Sequence, residues 1–274
     1  MSLNLKLEGF DENEIPSGQT YSDLHVLHIL NEFLQPNSRK PLQETVDSIL
    51  ALLPENAPLS NEVWSAGTVI IEIAGQIPYS HPAQLKLAIL VEQLSKADKF
   101  IDKPDEKGIR YSCQRLKEAL RDSYNGPNDE IPTEWPGLNA FYAHLDARHV
   151  FNNHPTYMIW TMRSAFEENA EDDPEYFPGM KDQCVLAAAQ YILWSGQEQF
   201  KRIGFSGDVD EDLLRAWKPG PLYGGKAAFG LERWRFWKAG FQAAAEDFEL
   251  GKEARDVADR AAGLMDALEN ALLF

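Results

Sequence analysis

Apolar residues recur at three- and four-residue spacing in one segment after another, and a proline or glycine closes most of the segments. Leu24, Leu27, Leu30 and Leu34 make the first such stripe, stopped by Pro36. Pro41 opens a second through Val46, Ile49, Leu50 and Leu53, closed by Pro54. From Asn61 a run through Trp64, Val69, Ile70, Ile73 and Ile77 is rich in β-branched residues, yet it is too long for a strand and follows a capping residue, so it reads as a buried helix. Ser80-His81-Pro82 opens the next, with a loop at 98–109 after it.

Further stripes predict helices over roughly 111–124, 138–152, 156–170, 181–202, 211–217, 226–249 and 252–272, the last two separated at Gly251. Trp135-Pro136-Gly137 leads into the second of these, at 138–152, and the acidic run Glu167, Glu168, Glu171, Asp172, Asp173 and Glu175, broken by Pro174 and Pro178, reads as an exposed loop. No segment has a convincing two-residue strand period, and no repeat of fixed length emerges. The expectation is an all-α fold without substantial sheet: a polar leader over 1–20, then one domain of about nine or ten helices over 21–274.

Charge and composition exclude several partners. Lys and Arg number 26 against 43 Asp and Glu, a net −17 that repels phosphate backbones and anionic membranes, so nucleic acid is not expected as a partner. No apolar run approaches the length of a membrane span, and residues 1–10 alternate Leu with Asn, Lys and Glu instead of forming a signal-peptide core. Cys113 and Cys184 have no CxxC spacing, which points to a reducing, cytoplasmic setting while leaving a single structural disulfide open.

Short motifs carry little chemistry here. Gly220 to Lys226 satisfies half of a P-loop, but Ala227 stands where magnesium binding needs Ser or Thr, and a helical pattern precedes it where a strand is required. A glycine loop entering a helix could still offer N–H groups to an anion. Asp208 to Asp212 imitates the start of a calcium loop, yet Leu213 occupies the glycine position and Pro219 that of the bidentate Glu, so a helix-capping cluster is the better reading. His25 with His28, and His144, His149 and His154 around Asp146, lack a metal-binding pattern, and no metal or cofactor is expected. His144 and Arg148, four apart, could share a helix face as an acid/base and anion-clamp pair; a buried structural histidine is the competing reading of His144.

The clearest local anomaly runs from Leu213 to Lys238. Six bases (Arg215, Lys218, Lys226, Arg233, Arg235, Lys238) accompany one acid, Glu232, and six aromatics interleave with them. Trp217, Tyr223, Phe229, Trp234, Phe236 and Trp237 could wall a pocket in which Arg233 or Arg235 meets an anionic group, suiting a small apolar or aromatic ligand that carries an acid. The plainer reading makes Trp234 and Trp237 core residues and pairs the arginines with acids elsewhere in the chain.

Two stretches, Trp135-Pro136-Gly137-Leu138-Asn139-Ala140-Phe141-Tyr142-Ala143-His144-Leu145 and Leu231-Glu232-Arg233-Trp234-Arg235-Phe236-Trp237-Lys238, resemble a fungal family known only as domain of unknown function 3632. The likeness runs from about residue 60 onward, with Pro136-Gly137 in place of the family's more usual polar lead-in. It implies a mostly helical protein, some of whose kin accompany genes of secondary metabolism, and it supplies no catalytic residue.

Two functions are therefore expected in competition. One is a cofactor-independent small-molecule enzyme or ligand-binding protein, using His144, Arg148 and Arg233 for chemistry of the cyclisation, isomerisation or dehydration type, and Tyr223, Trp234, Trp237, Lys226 and Trp217 for ligand contact. The other is a non-catalytic helical protein acting through association, as a homodimer or a partner-binding module, with the same aromatics at the contact.

Overall fold

The computed structural model describes residues 2–9, 21–101, 113–150, 155–204 and 211–272. Every regular element among them is helical: eleven α-helices and two short 3-10 turns, with no strand. His154 and Asp208 to Asp210, singled out above as metal candidates, lie outside the described residues. The chain forms two compact units, Met1–Gly126 with Arg148–Phe151, and Pro127–Ala147 with Asn152–Phe274.

The first unit holds α1 (Asp23–Leu34), α2 (Leu42–Leu52), α3 (Asn61–Gln76), α4 (Ala83–Leu94) and α5 (Gln114–Asp122). Helix α3 is its centre, and nine of its 16 residues are buried. A helix covered on that many sides can carry Val69, Ile70, Ile71 and Ile73, because the packing of β-branched side chains outweighs their modest propensity cost. Ser60 caps it by accepting from the Val63 N–H at 3.3 Å. Its other end is closed by Gln84, fully buried on α4, whose amide donates to the Ala74 and Ile77 carbonyls at 3.0 and 2.7 Å. Lysines finish two more helices: Lys86 donates to the Phe33 carbonyl at the end of α1, and Lys99 to Leu50 and Leu53 at the end of α2.

Residues 2–9 are not simply a polar lead-in. Leu5 and Leu7 belong to the core, because the leucines of this stretch occupy alternate positions and face the helices together.

The second unit holds α6 (Glu134–Ala147), α7 (Thr156–Phe166), α8 (Met180–Gly204), α9 (Glu211–Ala216), α10 (Leu231–Glu246) and α11 (Lys252–Leu272). Helix α8, 25 residues and about 37 Å long, is its spine; α6, α7, α10 and α11 all pack on it. Pro136 sits in the first turn of α6, where a missing N–H costs nothing, so the Trp-Pro-Gly sequence is part of the helix. Every residue from Trp135 to Leu145 is buried. Within that run Asn139 donates to the Trp135 carbonyl at 2.8 Å and accepts from the Thr161 hydroxyl of α7 at 3.0 Å, so a buried amide fixes one helix against the other.

Candidate functional site

Helix α7 ends at Phe166, and the next residue, Glu167, does not enter an exposed acidic loop as expected; its side chain is 0% exposed. The reason is its set of partners. Arg233, in the first turn of α10 and 1% exposed, donates from Nε to Oε1 at 2.7 Å and from Nη2 to Oε2 at 2.8 Å. Trp237, one turn further along α10, donates its indole N–H to Oε1 at 2.7 Å, and the Gly220 N–H reaches Oε2 at 2.9 Å. A buried carboxylate with four donors and a bidentate guanidinium is stable where an isolated one would not be.

The remaining arginine donors also stay inside the protein. Nη1 of Arg233 bonds the Trp217 carbonyl at 2.8 Å and the Ala228 carbonyl at 3.4 Å. The guanidinium carbon lies 5.5 Å from the Tyr223 ring centre and 5.4 Å from that of Trp237. Burial pushes the Tyr223 phenol up, and Glu232 adds to this against the lowering effect of Arg233. Trp217 is anchored separately, its indole N–H on the Thr156 hydroxyl at 3.0 Å.

The half P-loop acquires a different meaning from these contacts. Its glycine stretch does offer N–H groups to an anion, but the anion is the protein's own: Gly220 N–H bonds the Glu167 carboxylate, and Leu222 N–H the Glu167 carbonyl at 2.9 Å. Gly220 is pressed so close to Glu167 that a methyl group there would lie 2.4 Å from its carbonyl oxygen. Helix α10 begins at Leu231, five residues beyond Lys226, so that lysine is not at a helix N-terminus; it is exposed.

The other expected site residues are dispersed. Helix α6 ends at Ala147 and His149 turns left-handed at φ 51°, so four-residue spacing does not set Arg148 on the face of His144. Arg148 falls in the first unit and gives its guanidinium to Glu92 at 2.5 Å. His144 is buried with its ring centre 4.6 Å from that of Trp194. Trp234 is fully buried against Phe200, with ring centres 5.1 Å apart. Arg233, Trp237, Tyr223 and Trp217 are thus brought together around Glu167, while His144, Arg148, Trp234 and Lys226 are not.

The feature missed in the sequence lies beside Glu167. A cavity of about 350 Å³ opens in the second unit, with Met180 and Cys184 of α8 and three prolines, Pro127, Pro174 and Pro221, supplying apolar surface. Glu168, Asp172 and Asp173 supply charge, and Ser164 and Asn169 neutral polar groups. Two walls are fixed by the buried pair, since Pro221 sits between the two residues whose N–H groups bond Glu167, and Glu168 follows Glu167 in the chain. The Pro127 wall is held by Gln183, whose amide bonds both the N–H and the carbonyl of Asn128 at 3.0 and 2.7 Å. Burial pushes the Cys184 thiol up to about 12, with Glu168 and Asp173 adding to the effect, so it lines the cavity as a neutral group. None of the eight residues expected from sequence lines this cavity.

No helix of the described residues is long and apolar enough to cross a membrane. No curated protein and no solved structure matches the chain. The model of a family described as protein of unknown function (DUF3632) matches residues 68–241, more than half of the sequence and all of the residues that line the cavity, and the chain belongs to that family.

Proposed function

We propose that the protein is a cofactor-independent small-molecule binding protein whose ligand sits in the cavity beside Glu167 and carries an apolar body and a positive charge. The observation that supports this most is the lining: buried Met180 and Cys184 with three prolines supply apolar surface, and Asp172, Asp173 and Glu168 supply three acids, of which, among the described residues, Glu168 alone pairs with a base, Arg163, at 3.1 Å. Its volume falls in the range of small-ligand sites, and its charge favours an amine over the acid that the basic segment alone suggests. Arg233 contributes indirectly, by fixing the loop that carries Pro221. A fungal, cytoplasmic setting in secondary metabolism belongs to this proposal through the family resemblance.

Tryptamine and indole-3-acetate, alike in shape and opposite in charge, test it by titration calorimetry. Saturable 1:1 binding of tryptamine, at least tenfold tighter than that of the acid and weakened by Asp173→Asn, is the expected result. Equal or absent binding of the two would remove the cavity from consideration.

A second reading, association with another protein surface, draws on Trp194, which is 41% exposed although its ring packs at a tilt against buried His144. Sedimentation equilibrium of the wild type and Trp194→Ala distinguishes it: a dimer that the substitution dissociates supports association, and a monomer at all concentrations opposes it.

A further inference from the structure

Residues 3–8 of the first unit have backbone hydrogen bonds of an unusual kind: their partners are side chains of α1, of its C-cap residue Gln35, and of α3. On the α1 side, Gln35 accepts from the Leu3 N–H and donates to the Leu3 carbonyl, both at 3.1 Å, and Asn31 donates to the Leu5 carbonyl at 3.1 Å. On the α3 side, Gln76 accepts from the Lys6 N–H at 2.9 Å and donates to its carbonyl at 2.7 Å, while Glu72 accepts from the Glu8 N–H at 2.8 Å.

The pattern is that of one extended strand read from both edges. In an extended chain the N–H and C=O of one residue point to one edge and those of the next to the other. Odd residues 3 and 5 bond α1, and even residues 6 and 8 bond α3. Spacing agrees as well: two extended residues advance about 6.6 Å, close to the ~6 Å that separates Glu72 from Gln76, four residues apart on α3, and on the other side Asn31 of α1 is likewise four residues from Gln35 at the C-cap. The segment runs antiparallel to both helices, since its residue numbers rise as theirs fall. Leu5, 1% exposed, and Leu7 enter the core, whereas Asn4, Lys6 and Glu8 face solvent. Gly9, at φ +77°, ends the segment.

Such a groove bonds the main chain without regard to the identity of the residue and selects side chains only at alternate positions, which is the physics of extended-peptide recognition. We infer that the groove between α1 and α3 is a binding site for an extended segment of another protein with leucine-like residues at alternate positions, and that Leu3–Glu8 occupies it as a tethered stand-in. Any chain with that alternation can form the same six hydrogen bonds, because the outward side chains take no part in them. This site is separate from the cavity of the second unit and does not rest on the proposal made for it.

Tethering gives the resident segment an effective concentration of roughly millimolar, so weakening it should unmask the groove. The probe is a labelled synthetic peptide with the sequence of residues 2–9, titrated into the full chain by fluorescence anisotropy. The full-length Leu5→Ser/Leu7→Ser variant is expected to bind it at least tenfold more tightly than wild type, and adding Gln76→Ala to that variant should cost at least tenfold. Binding that is no tighter than to wild type, or indifferent to Gln76→Ala, overturns the inference. Hydrogen exchange of the wild type gives an answer even if the variant does not fold. The Leu3, Lys6 and Glu8 amides should exchange at least tenfold faster than those of Ile70 and Ile73 in α3, and exchange in step with α3 would show that the segment leaves only on unfolding.

Discussion

Glu167 and Arg233 face each other with both side chains buried and share two parallel hydrogen bonds of 2.7 and 2.8 Å, across 66 residues of sequence. The pair ties the end of α7 to the start of α10 and, through Trp217 and Gly220, holds the intervening loop to both. Its role is architectural: it makes two walls of the cavity and leaves most of the guanidinium's donors engaged within the protein.

Removing one partner of a buried ion pair leaves the other charged and unpaired, which costs about 3–5 kcal/mol. Arg233→Met should therefore lower the urea midpoint of the second unit strongly, read by the fluorescence of Trp217, Trp234 and Trp237. Adding Glu167→Gln should recover at least 1 kcal/mol or so, because an amide buried without its cation costs less than a carboxylate and can still accept from Trp237 or Gly220. Simple additivity of the two losses would show that the pair is not coupled as its geometry requires.

Gly220 offers a test of the same latch from its other side. A methyl group added there would lie 2.4 Å from the Glu167 carbonyl oxygen and 2.8 Å from its carbonyl carbon, and backbone atoms cannot rotate away as a side-chain tip would. Gly220→Ala should cost about 1–3 kcal/mol and, by shifting Pro221, weaken any ligand of the cavity. A variant with unchanged urea midpoint would place the loop further from Glu167 than described.

The helices were legible because their signal is local: α11 spans the range that the sequence predicts, and α3 was correctly separated from a strand by its length and cap. The site was not, because its determinants are pairings over long sequence distances. Four of the six bases between Leu213 and Lys238 pair with acids: Arg233 with Glu167, Arg235 and Lys238 with Asp266 and Glu269 of α11, and Arg215 locally with Asp212. Spacing along the chain carries no record of the α11 partners. A hint for Glu167 did exist: it directly follows the apolar face of α7, whereas the other acids of its run stand among prolines and other acids. The alternating leucines at 3, 5 and 7 were visible too, but a period of two suggests a sheet, and here helices supply the hydrogen bonds through amide side chains.

The seam between α10 and α11 should set part of the protein's pH range. Burial resists ionisation of Glu269, but the Lys238 ammonium and the Arg235 guanidinium outweigh it and hold its carboxyl below the usual range. For Lys238 burial acts to lower the value, and Asp266 with Glu269 reverses the sign and raises it. A depressed carboxylate contributes stability that is complete above its unfolded pKa of about 4.3 and is lost as pH falls through the folded value. A raised lysine contributes stability complete below about 10.4 and lost as pH rises through its folded value. The seam is therefore at full strength from about pH 5 to pH 10. Urea midpoints across pH 2.5 to 7 check the acid side: Glu269→Gln should lie below wild type at pH 7, and the gap should close as pH falls under 4. A gap that stays constant with pH would mean that Glu269 acts there through packing alone.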